Sequence, residues 1–252
     1  MFLIIKNIFK IHVFFYIFMF IAFITGNIRD YLFFSLIIIV HECGHILGGF
    51  LFSWKIKKII LLPFGGLTIF DQPINTSMFS IFIVTLLGPL FQIVFTLLLL
   101  NFFSLSNRIL YYDFLLLFFN LLPIYPLDGS KFLNIILCIL FPFKYGHLAL
   151  IFISFFCIFL IFCFVGHFDL IIFLILFFLI VSVYREFLNH KFIFNKFLFE
   201  RFSNNYYFKH IKYIKSVDGM YLWRRHLFDV DGFFLSERNY LSKRFDKYYK
   251  LW

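Results

Sequence analysis

Residues 41 to 45 read His-Glu-Cys-Gly-His and lie inside an apolar run that extends from Tyr31 to Phe52. A charged side chain at the centre of a bilayer costs roughly 2.5–3.5 kcal/mol on insertion scales unless something inside the membrane compensates it. Metal binding is the simplest compensation. The His-Glu-x-x-His spacing sets both imidazoles on one helix face, one turn apart, with the Glu42 carboxylate about 100° away and able to activate a water. Ten residues at about 1.5 Å each from Tyr31 put His41 about 15 Å into the membrane, near mid-depth. The run is therefore expected to be a lipid-crossing helix that carries a divalent metal. Imidazole ligands and a neighbouring base point to zinc (Zn2+).

Composition supports a membrane chain. Of 252 residues, 63% are hydrophobic, 46 are phenylalanine and only 14% are charged. A soluble domain of this size could not bury so much apolar surface, so lipid must solvate part of it. The first apolar run is followed by Gly26, Asn27, Ile28 and Arg29 rather than a small-x-small cleavage pattern, which predicts a retained span and not a signal peptide. Cys43, Cys138, Cys157 and Cys163 sit in apolar stretches with no Cys-x-x-Cys pair, so buried free thiols are expected.

Six spans are expected, at 8–26, 31–52, 77–103, a broken one over 110–141, 147–166 and 168–184, near the roughly 20 residues needed to cross the hydrocarbon core. The fourth is too long for one span and contains Pro123, Pro126 and Gly129. Proline withdraws a backbone donor and clashes with the preceding turn, so the helix should open there, where it faces protein or a wet cavity. Lys6, Lys10, Lys55, Lys57, Lys58, Lys144 and the tail fall on one side of this topology, against Arg29 and Arg108 on the other, which puts both termini in the cytoplasm. The net charge of +10 then reflects topology and tail, and nucleic acid is not an expected partner.

The Lys55–Asn75 connection carries apolar stretches on either side of Pro63-Phe64-Gly65-Gly66. It reads as a short re-entrant β-hairpin whose edge could add a strand to an unwound substrate, or as a surface loop dipping into the interface. From Arg185 onward, 14 Lys or Arg stand against seven Asp or Glu. Alternating stretches there suggest a small cytoplasmic α+β appendage with little core of its own.

Catalytic zinc takes three protein ligands and keeps one open position, so a third ligand must come from outside the motif. Asp128 is the best candidate, because it follows the Pro123 and Pro126 break and precedes Gly129, where a carboxylate can turn inward. A plain turn or cap aspartate is the bland alternative. Asp30 and Asp113 sit at span ends, His12 and His147 near interfaces, and Cys43 about 200° around the helix from His41.

Through these residues the chain resembles the site-2 protease family of intramembrane metalloproteases, and within it the sporulation branch. The likeness runs over roughly residues 1–190: the His41–His45 motif, the Pro63–Gly66 hairpin, Gly88-Pro89, and Asn120 to Gly129. It implies His41, His45 and Asp128 as ligands of one zinc ion, Glu42 as general base and Asn120 as a substrate-positioning residue. The chain has Pro126-Leu127-Asp128-Gly129 where the family often has Asn-Pro-Asp-Gly, and Gln92 where many members have asparagine. There is no room for a PDZ insertion, and Trp223 to Leu241 resembles only part of a CBS domain.

The expected fold is an all-α polytopic membrane protein of six transmembrane segments with a re-entrant β-hairpin. A transmembrane metalloprotease domain at 1–187 is followed by the basic appendage at 188–252. The expected reaction is hydrolysis of a peptide bond in a membrane-associated protein, with Pro123 lining a wet path and Gly65 and Gly66 meeting the unwound substrate. The resemblance implies a sigma-factor precursor as substrate and regulatory or inhibitory membrane proteins as partners. It also implies the mother-cell membrane around a forespore as location, and leaves a homo-oligomer open. The rival reading is a metal or solute transporter using His41, His45 and Asp128, although paired repeats are not seen.

Overall fold

The computed structural model describes residues 9–62, 65–102, 107–164, 170–230 and 232–249. Lys6, and Pro63 and Phe64 of the hairpin, lie outside the described residues. The elements in order are β1 (Phe9–Ile11), α1 (Val13–Ile24), α2 (Ile28–Leu51), β2 (Lys55–Leu62), β3 (Gly65–Asp71), α3 (Met78–Phe102) and α4 (Asn107–Asn120). They continue with α5 (Asp128–Leu140), α6 (Phe143–Phe164), α7 (Leu170–Ser203), β4 (Ile211–Ile214), β5 (Arg225–Val230), β6 (Phe233–Ser236) and α8 (Glu237–Tyr249).

Among the described residues four helices, not six, are long and apolar enough to cross a membrane: Ile28–Leu51, Met78–Asn101, Phe143–Phe164 and Ile172–Ser203. The expected span at 8–26 fails because Phe9–Ile11 leave the helix and pair in parallel with Ile59–Leu61 of β2. The 12 residues of α1 that remain rise only about 18 Å against a hydrocarbon core of about 30 Å. The expected broken span at 110–141 is two separate helices of 14 and 13 residues, each about 20 Å long. Between them Pro123 and Pro126 withhold the N–H groups that a continuous helix needs. The chain is thus a predominantly helical multi-pass protein, with two small three-stranded sheets among the described residues.

The chain divides into two compact units, Met1–Gln72 with Phe79–Leu122, and Pro73–Met78 with Pro123–Trp252. In the first, β2 is the central strand, parallel to β1 and antiparallel to β3. Alternation puts Gly66, Thr68 and Phe70 on one face of β3, and that face lies on α2. A Cβ at Gly66 would overlap the Glu42 carboxylate, and one at Gly49 would overlap the Phe70 ring. Another face of α2 packs on α3. There a Cβ at Gly44 would overlap the Leu87 carbonyl oxygen, and one at Gly48 would stand 2.9 Å from the Val84 Cα. Between lipid-solvated helices, where tails are as apolar as leucine, such close backbone approach is a main source of association. Ile37 and Ile38 of α2 close the core against Leu61, Ile109 and Leu116.

In the second unit α7 continues to Ser203 and carries the tail. β4 runs parallel to β5, which is antiparallel to β6. Phe197, Leu198, Met220, Phe228 and Leu241 share one core with Phe143 at the start of α6. Arg201, 4% exposed, donates from Nη2 to the carbonyls of Tyr221, Leu222 and Arg224. Its guanidinium lies 4.2 Å from the centre of the Phe208 ring. One planar cation thus gathers the loop before β5 onto the end of α7, a task suited to a fixed fork of donors. Trp223 Nε1 donates to the Thr76 carbonyl and Asn75 Nδ2 to Glu200.

His226 is fully buried in this unit. Its Nε2 accepts the Tyr221 N–H at 2.9 Å and its Nδ1 donates to Glu237 at 2.8 Å, which specifies the neutral ring. Burial holds the imidazole below the ordinary histidine value. Glu237 pulls it up, and Arg201 and Lys212 push it further down. A depressed folded value means that the unfolded chain takes the proton more readily, so the stability from His226 is present above pH of about 6.5 and lost as pH falls.

Gly44→Ala should destabilise the folded protein in detergent by about 1–3 kcal/mol, because backbone meets backbone. Gly65→Ala, with no heavy atom of the described residues within 4 Å of its Cβ, should leave the thermal midpoint unchanged. Hydrogen-exchange protection of Ile211–Ser236 should hold down to about pH 6.5 and fall below it. His226→Gln, which keeps one acceptor and one donor, should flatten that dependence.

Candidate functional site

The site is built on α2. His41, Glu42 and His45 are all buried, and one ligand atom from each lies within 4.8 Å of the others. The helix repeat turns the two imidazoles toward α3 and the carboxylate toward β3. Gly88 of α3 makes room for the His45 ring, since a Cβ there would overlap it. On the other side the Thr68 hydroxyl donates to Glu42 Oε2 at 2.5 Å. Register places Thr68 opposite Ile59 and Gly66 opposite Leu61, so the β2–β3 pairing sets where the carboxylate is held.

The imidazole geometry fits a divalent ion. His45 Nδ1 lies 2.9 Å from the Val84 carbonyl, which can only accept, so Nδ1 carries the proton. His41 Nδ1 lies 2.8 Å from Gln92 Oε1, another acceptor. In the neutral rings both Nε2 atoms therefore present lone pairs, and those two atoms stand 3.1 Å apart. Two lone pairs at that distance repel unless a cation lies between them. Tetrahedral zinc with nitrogen ligands at about 2.0–2.1 Å holds two such atoms roughly 3.3 Å apart, close to the spacing seen. The rings sit nearly edge to face at 76°. Cys43 is an exposed thiol and takes no part in the cluster.

The remaining expected residues are placed as follows. Gly66 lies against Glu42, whereas the Cβ position of Gly65 is open. Asn120 is buried at the end of α4. Pro123 and Asp128 belong to the second unit, Pro123 in the turn after α4 and Asp128 in the first turn of α5. Asp128 is buried, and its Oδ1 pairs with Lys131 at 2.8 Å.

The structure adds three residues that sequence reading did not assign: Thr68, Gln92 and Asp113. Gln92 Nε2 donates to the Asp113 carboxylate at 2.7 Å and to the Asp113 carbonyl at 3.0 Å. A signal for Gln92 was present in the chain. It follows Gly88 by four residues in an apolar helix, so the small residue and the amide share the face that meets the motif.

No family model matches the chain. It is 36% identical over 149 residues to stage IV sporulation protein FB of Bacillus subtilis, covering 56% of this chain and 52% of that protein. It is 33% identical over 121 residues to a zinc metalloprotease of Methanocaldococcus jannaschii, covering 44% of this chain and 34% of that one. The chain thus spans about half the length, or less, of the curated relatives it matches. Among solved structures it is similar to a site-2 protease from M. jannaschii, with a TM-score of 0.54 at 24% identity over 70% of this chain and 88% of that one. That likeness establishes a shared fold.

Zinc titration of the metal-free full chain in micelles should give one tight site per molecule. His41→Ala and His45→Ala should each weaken it more than about 100-fold, while Glu42→Gln should retain it.

Proposed function

The chain belongs to the site-2 protease family of intramembrane zinc metalloproteases, and from that premise we propose that it hydrolyses a peptide bond of a membrane-associated protein. One observation carries the reading: two imidazole nitrogens with outward lone pairs and a hydroxyl-anchored carboxylate converge in the middle of an apolar helix. His41 Nε2 and His45 Nε2 would hold the ion, and Asp128 is the proposed third ligand. When bound, zinc supplies Lewis acidity, making water a better nucleophile and polarising the scissile carbonyl.

The chain's own groups do the rest. Glu42 takes the proton of the attacking water and hands it to the leaving amine, the usual double duty of a positioned carboxylate. Thr68 holds Oε2, so Glu42 meets the substrate in one orientation. Gly66 leaves the space that this carboxylate occupies. A helical substrate hides its carbonyls in hydrogen bonds and must unwind before it can react. Substrates are therefore expected to carry helix-breaking residues near the cleaved bond. Asn120 and Pro123 are the proposed positioning residues for the unwound segment, with Gly65 and Gly66.

By the resemblance to the sporulation branch, the proposed substrate is a sigma-factor precursor that loses its pro-sequence at the mother-cell membrane around the forespore. Regulatory or inhibitory membrane proteins are the proposed partners. The basic tail supports a cytoplasmic C-terminus.

Co-expression with a tagged precursor tests this. Wild type should process it, and Glu42→Gln should lower processing by at least about 100-fold, the lower end of the general acid–base range, while still binding zinc. Asp128→Asn should weaken both processing and zinc binding. Equal processing by Glu42→Gln and wild type would refute the protease reading.

A further inference from the structure

We propose that Gln92 and Asp113 are positioning residues that lock the tautomer of His41 and so set the affinity of the site for metal; this rests on His41 being a metal ligand. Asp113 fixes the orientation of the amide. Toward Gln92 it presents only acceptors, its carboxylate Oδ1 at 2.7 Å and its own carbonyl at 3.0 Å. Two acceptors call for the NH2 end of the amide, because the oxygen end would be repelled by both. Gln92 is 1% exposed, so water cannot relieve a wrong orientation. The amide oxygen is thereby turned to His41 Nδ1 at 2.8 Å, where it requires a proton on Nδ1 and leaves Nε2 as the metal-binding lone pair.

The two imidazoles are thus held by different means. The His45 proton goes to a main-chain carbonyl of α3, which no substitution removes. The His41 proton depends on a side chain of α3 that is itself oriented by one residue of α4. Three helices meet in this line, and both N–H bonds of a single amide are satisfied by one aspartate. Metal-ligating histidines generally give their second nitrogen to a carboxylate, carbonyl or water, and losing that partner lowers metal affinity about 10- to 100-fold. Here the carboxylate acts at one remove, through the amide.

The test uses the full chain in micelles. Gln92→Met keeps length and an unbranched stem but removes the amide. It should bind zinc about 10- to 100-fold more weakly than wild type in chelator competition, with the metal-free thermal midpoint close to that of wild type. Nitrogen-15 spectra of labelled histidine should show the His41 proton on Nδ1 in metal-free wild type and spread over both nitrogens in Gln92→Met. Gln92→Glu should also weaken binding, because it sets a carboxylate against Asp113. Adding Asp113→Asn should recover binding by several-fold, since the donor then comes from position 113, a coupling that a purely structural role would not produce. Should Gln92→Met fail to fold, this pair decides. Wild-type zinc affinity in Gln92→Met, or no recovery on adding Asp113→Asn, overturns the proposal. Zinc binding that survives His41→Ala unchanged would instead overturn the metalloprotease reading.

Discussion

Two imidazole lone pairs brought to 3.1 Å at the middle of an apolar helix are the constraint on which the first unit is organised. Hydrocarbon offers no water to satisfy a ring nitrogen, so each histidine needs a protein acceptor on one side and a ligand on the other. α3 supplies both acceptors, the Val84 carbonyl and the Gln92 amide. It can do so only because Gly44, Gly48 and Gly88 let the two helices approach to backbone contact. The chemistry of the site and the packing of α2 on α3 are therefore one requirement.

The same economy explains the small sheet. A glutamate at this depth is costly when isolated, and β3 brings it a hydroxyl donor at Thr68 and the room left by Gly66. β2 holds that strand in register by ladder bonds and is itself paired with β1 on its other edge. The second unit follows a different logic. Its tail packs Ile214, Met220, Leu222, Phe228 and Leu241 into one core with the ends of α6 and α7. Arg201 satisfies three loop carbonyls at once, and His226 is kept neutral by one donor and one acceptor.

The motif was legible because an i, i+4 pair needs no knowledge of the rest of the chain: helix geometry alone brings His41 and His45 together. Gln92, Asp113 and Thr68 were not, because their partners are 51, 21 and 26 residues away, and a lone polar residue in an apolar run reads as noise until the facing helix is known. Span counting failed for a related reason. Phe9-Lys10-Ile11 is apolar enough for either a helix or a strand, and the free edge of β2 decided it. Pro123 and Pro126 lie between α4 and α5, two short helices that each fall short of a crossing.

X-ray absorption at the zinc edge of the metal-loaded full chain tests the central claim most directly. The account predicts scattering from two imidazoles with only oxygen completing the shell. A sulfur neighbour at about 2.3 Å, or a shell without imidazole, would contradict it.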